Sequence, residues 1–153
     1  MNKLTRFSIV AMLSLQSSIY TERKPTKGLV QEQRNAPEQL EIQVVEVNKL
    51  GKSRSECREY SFLIFCKGYD EEFSIAITAI VQKALKSSSN TKVGDTIMIE
   101  YTHKNNYNPP PGARPIPVLA KGKKYPAYLS KEGNKFAPTL GYWSFRDAKP
   151  LVK

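Results

Sequence analysis

The sequence is poor in the residues that most catalytic and metal chemistry needs. It has one histidine, His103, and two cysteines, Cys57 and Cys66. Two cysteines and one distant histidine do not make a zinc set, so no metal site and no cofactor are expected. A Gly-rich phosphate loop and paired-carboxylate spacing are missing as well. His103 follows an apolar strand beside Lys104, with no Ser or Cys nucleophile in local register. It reads as a surface histidine at a strand end, with a general base as the other reading. Asp70, Glu71 and Glu72 read as a solvated charge run in a turn. The expectation is a non-enzyme with no catalytic residues. Long apolar runs are absent too: residues 7–15 are largely apolar, far below the roughly 20 needed to span a bilayer. There is no internal repeat and no long helical pattern.

What is present begins with charge. The formal net charge is +10. Lys3 and Arg6 precede the apolar run, and no acid occurs before Glu22. Residues 1–20 therefore read as a secretory signal, which leaves +8 for the rest. The cleavage site is poor: cutting after Ser18 puts Gln16 at the −3 position, and cutting after Ser17 puts Leu15 there. The other reading is an amphipathic or buried first segment of a cytosolic protein. The expected address is secreted or periplasmic, with cytoplasmic as the alternative. Residues 21–38, with two prolines and many charges, read as a flexible linker. The domain is expected over 39–148, with a tail at 149–153.

Cys57 and Cys66 flank REYSFLIF. On one continuous strand their odd separation would aim them at opposite faces, so a bridge needs a turn or bulge between them. An exported protein could close that loop, for about 2–3 kcal/mol; the alternative is two unpaired, partly buried thiols.

Period-2 patterning dominates from residue 39 onward. LEIQVVEVNKL reads as a strand, LGKSRSE as a polar turn, REYSFLIFCKG as a second strand and GYDEE as another turn. In FSIAITAIVQKALK, Phe73, Ile75, Ile77, Ala79 and Val81 share one face. Gly94 and Asp95 open a tight turn into a strand with Ile97, Ile99 and Tyr101 aligned. The prolines at 109–111 cannot donate ladder hydrogen bonds and stop the sheet. Strands IPVLA, YPAYLSK and FAPTLGYWSFR follow, with Pro126 marking an edge or a bulge. All but two of the aromatic residues lie at or beyond Tyr60, where they can build a small β core. The fold class implied is all-β, or mainly β: a small OB-like five-stranded barrel preceded by the leader and linker.

The order of SIAITAIVQKAL, VGDTIMIEY, the proline-rich connector, LAKGKKYPAYL and FAPTLGYWSF resembles the netrin-like branch of OB-fold domains. That branch includes the tissue inhibitors of metalloproteinases. Gly122, Tyr125 and Leu129 fit its later hairpin loosely. The resemblance covers about half the chain and implies a fold. It does not carry over the inhibitors' mechanism, which uses an N-terminal cysteine to chelate the protease zinc; no cysteine here precedes Cys57.

One constellation suggests binding. Lys121, Lys123 and Lys124 cluster at a hairpin beside Tyr125 and Tyr128, with Trp143 and Phe145 on the expected closing strand. A cationic groove with aromatic platforms is how OB folds hold single-stranded nucleic acid. The same residues also fit a plainer account, in which aromatics fill the barrel and lysines blunt sheet edges. The reading taken from the sequence is an exported, non-catalytic binding module whose partner is an unknown protein or an anionic envelope surface. A single-stranded nucleic-acid binder is the alternative.

Overall fold

The computed structural model describes residues 26–61, 65–109 and 114–148. The expected signal at 1–20, the tail at 149–153, and Phe62 and Ile64 of the second strand candidate lie outside them. Helix α1 (Thr26–Asn35) is followed by strands β1 (Glu38–Ser61), β2 (Phe65–Ser87), β3 (Thr96–Asn105), β4 (Lys124–Glu132) and β5 (Lys135–Pro138), then a short 3-10 helix, Gly141–Phe145. The chain is mainly β. Its five strands form one sheet that closes on itself in the order β1-β2-β3-β5-β4. All pairings are antiparallel except β3 with β5, which meet in parallel at Ile99 and Phe136.

The alternating residues fill the ring. Leu40, Ile42 and Val44 of β1, Phe73 to Val81 at every second position of β2, and Ile97, Ile99 and Tyr101 of β3 are all buried, with Ala127, Leu129, Phe136 and Phe145. β1 pairs with β2 along one edge and, over Glu38 to Gln43, with β4 along the other; its register shifts at Gln39/Leu40, Glu41/Ile42 and Val44/Glu46 mark irregularities that increase local twist. The turn before β3 is built as its residues imply. Gly94 takes φ +91°, and the Asp95 carboxylate accepts from the Lys92 amide at 2.8 Å. Pro126 lies opposite Glu41, in the part of β4 paired with β1 but not with β5.

Four expectations are corrected. The linker 21–38 contains α1, whose Leu29 and Gln33 are buried, as is Ala36 just beyond it. That i, i+4, i+7 spacing puts them on one helix face, a period masked by the surrounding charges. The turns at LGKSRSE and GYDEE are strand: β1 and β2 stay paired through both, with the ladder irregular between Leu50 and Arg54. Cys57 and Cys66 therefore sit on opposite strands of one hairpin and form a disulfide, with Cα atoms 5.9 Å apart. IPVLA is not a strand. It is strapped across the ring by the Tyr101 hydroxyl, which donates to the Pro117 carbonyl at 2.6 Å, and by the His103 ring at 2.7 Å from the Ile116 carbonyl. The closing segment is only a four-residue strand and the 3-10 helix.

Candidate functional site

A shallow groove of about 330 Å³ lies on the outside of the ring where β2, β1 and β4 run side by side. Its floor is Gln39 and Glu41; its walls are Lys83 and Leu85 on one side and Lys124, Pro126 and Tyr128 on the other. The register explains the gathering. Gln39 faces Tyr128, while Glu41 faces Pro126 in one neighbour and Lys83 in the other. Leu85 is 66% exposed, an apolar side chain at the rim of a polar trough.

The lysine turn stands beside this groove on a fixed base. Gly122, at φ +79°, donates its amide to the Val44 carbonyl at 2.8 Å, and Val44 donates to the Lys123 carbonyl at 3.0 Å. The Tyr125 hydroxyl accepts from the Ala120 amide at 3.1 Å, while its ring is partly buried against the core. Lys121, Lys123 and Lys124 are all exposed, so ammonium groups are displayed from a backbone tied to β1. Tyr128 donates its hydroxyl to the Asp147 carboxylate at 2.8 Å. Burial, then the Asp147 carboxylate, pushes its phenol well above the ordinary range. It stays a neutral donor.

The two aromatics placed on a closing strand belong elsewhere. Phe145 is 2% exposed and stacks at 5.8 Å against Tyr101 inside the ring; it offers no platform to a ligand. Trp143 is half-buried in the 3-10 helix, edge-on to Tyr142 at 5.4 Å. Buried Gln33 of α1 donates to the Trp143 carbonyl at 3.2 Å and to the Arg146 carbonyl at 2.5 Å, and accepts from the Ala148 amide at 3.0 Å. A residue from the expected linker thus positions the end of the domain. The structure brings Lys124, Tyr125 and Tyr128 together and adds Lys83, Leu85 and Asp147. The signal for Lys83 and Leu85 was the end of the β2 apolar alternation at Val81; the irregularity that turns them outward is not visible in composition.

Charge is divided unevenly. Residues 45–72 carry five basic and six acidic side chains, and residues 73–148 carry eleven basic and four acidic. Around the outer part of the β1–β2 hairpin some charges pair: Arg58 with Asp70 at 2.6 Å and with Glu56 at 3.2 Å, Lys104 with Glu72 at 2.9 Å, and Lys49 with Glu71 at 3.9 Å, as does Lys135 with Glu100 at 2.7 Å in the ring; Lys52, Arg54 and Lys67 of the hairpin do not pair among the described residues. Among the described residues, no carboxylate lies within ion-pair distance of Lys83, Lys121, Lys123 or Lys124. No helix among the described residues is long and apolar enough to cross a membrane. Comparison with family models, with curated proteins and with solved structures found no match to this chain.

Proposed function

We propose that this protein is an exported, non-catalytic binding module that docks on an anionic envelope surface through the lysine turn and the adjoining groove. The observation that carries the reading is the contrast in charge pairing. Among the described residues Lys83, Lys121, Lys123 and Lys124 have no carboxylate within ion-pair distance, whereas Lys49, Arg58 and Lys104 at the hairpin each have one. Unpaired, exposed cations on a pinned loop are what an anionic surface attracts, at about 1 kcal/mol for each lysine near it. The Cys57–Cys66 disulfide supports the address, since such bridges persist in oxidising compartments. Five strands closing out of sequence order, with a single parallel pairing, support an OB-like reading of the ring. The netrin-like resemblance stays at that level.

Co-sedimentation with vesicles tests this. The protein should bind vesicles containing acidic phospholipid and ignore zwitterionic ones, with binding that weakens as salt rises. K121E/K123E/K124E should lower the affinity at least about a hundredfold. Failure to bind acidic vesicles at low salt would overturn the reading.

Single-stranded nucleic acid is favoured by one observation, the placing of Lys124 and Tyr128 in the same groove. A Trp143 fluorescence response to oligonucleotide that collapses between low and moderate salt would move the conclusion there.

A further inference from the structure

Two arginines that the lysine site does not use converge on one tyrosine. Arg114, from the connector, places its guanidinium carbon 5.2 Å from the Tyr142 ring centre and donates from Nη1 to the Tyr142 hydroxyl at 3.4 Å. Arg146, just past the 3-10 helix, places its own 4.8 Å from the same ring centre. The two cations are therefore within about one Debye length of each other at 0.1 M salt, roughly 10 Å. Both are exposed, and among the described residues neither has a carboxylate within ion-pair distance. The nearest acid in sequence, Asp147, is held by Tyr128. Nor is the arrangement loose: the Arg146 carbonyl is fixed by Gln33, itself 5% exposed.

Two exposed guanidiniums held at one ring, with no carboxylate beside either among the described residues, are free to share one anion. Each guanidinium has five N–H donors in a planar fork suited to phosphate-type oxygens. Arg114 spends one of them on Tyr142, and among the described residues no hydrogen bond uses those of Arg146. We infer that Arg114, Tyr142 and Arg146 form a subsite for a multiply charged oxyanion of the phosphate type. Arg114 and Arg146 supply the donors to its oxygens, and contact with the Tyr142 ring restricts where both guanidiniums lie. The subsite adjoins the groove through Asp147, which lines it. This deepens the docking proposal by naming the group recognised, and rests on that proposal only for the larger ligand that carries the group.

The probe is inorganic pyrophosphate, titrated at constant ionic strength into the full chain and read by calorimetry and by fluorescence. Trp143 is the only tryptophan and lies edge-on to Tyr142, so its emission reports on binding at this end of the ring, and the arginine and lysine variants separate the two sites. Saturable binding is expected in calorimetry, with a shift in emission. R114A or R146A should weaken it about tenfold each, the scale of a charge-assisted hydrogen bond lost. R146K, which keeps the charge but loses the fork, should fall between. K121E/K123E/K124E should still bind pyrophosphate within a few-fold, even where it no longer binds vesicles. Release of vesicle-bound protein by pyrophosphate would put the group on a lipid; binding of soluble polyphosphate without such release would put it on a soluble polymer. Absence of saturable heat, unchanged affinity in both arginine variants, or loss of pyrophosphate binding in the lysine variant alone would overturn the inference.

Discussion

Strands β1 and β2 pass through two environments. Within the ring, their alternate residues are buried among Leu40, Ile42, Val44 and the Phe73 to Val81 series. Beyond about Leu50 the same ribbon carries almost no buried side chain, and Tyr60, Phe65 and Tyr69 are 63%, 66% and 55% exposed. A two-stranded ribbon by itself is marginal in water, and surface ion pairs such as those of Arg58 add little. The outer hairpin is held by other means. The disulfide staples it, the Asp70 carboxylate accepts from the Tyr107 amide at 3.0 Å, and the Tyr107 ring sits over Gly68, where any Cβ would collide with it. Continuity of hydrogen bonding is therefore not continuity of stability: one half is held by burial, the other by a covalent link and a docked tyrosine.

The largest effect should come from the ring. Ile77→Ala, at a fully buried position, should cost about 2–5 kcal/mol in global denaturant unfolding; a loss under 1 kcal/mol would erase the distinction between the halves. Replacing both cysteines by serine should remove about 2–3 kcal/mol of order, felt locally. Hydrogen exchange should speed up in the described residues from 54 to 69 while Ile75 to Ile80 keep their protection.

Glu38 sharpens the contrast from the ring side. Its side chain is fully buried, and Oε1 accepts from the Ser88 hydroxyl and the Ser89 amide, both at 2.9 Å. Burial alone would raise its pKa, but hydrogen bonds from Ser87, Ser88 and Ser89 outweigh it and hold the carboxyl below its ordinary value. A depressed folded-state pKa means stability that is complete above the unfolded value and lost as pH falls through the folded one. Glu38→Ala should cost about 1–3 kcal/mol near neutrality, and less in acid, as read from denaturation midpoints across pH.

The smallest effect belongs to Asp70, lowered first by the Tyr107 amide and then by Arg58. The same sign holds: docking of Tyr107 is intact above the ordinary carboxylate pKa and released as pH drops through the depressed one. Asp70→Asn should flatten that pH dependence in the amide exchange of Tyr107 and leave the ring untouched.

Much of the ring was legible because burial there follows a period of two. The inward series of β2 and β3 and the Gly94–Asp95 turn follow from local chemistry. What was not legible came from distant contacts. The segments LGKSRSE and GYDEE have turn composition, but each is a strand partner to the other, and pairing across a hairpin leaves no mark in either segment alone. Gln33 looks like one more polar residue until three backbone groups from 143–148 converge on it. Phe145 looked like a surface platform because a strand was expected where a short helix turns it into the core. For the site, the lysine turn and Tyr128 could be picked out; Lys83, Asp147 and the two arginines at Tyr142 could not, since only closure of the ring brings them near.

Both candidate binding features sit on the ring and its end, and the outer hairpin contributes to neither. The most direct test compares two variants in acidic-vesicle co-sedimentation at low salt: K121E/K123E/K124E, and the chain with both cysteines replaced by serine. Loss of binding in the first, with wild-type affinity in the second, is the predicted result. Full binding by the lysine variant, or loss of binding on removing the disulfide alone, would contradict it.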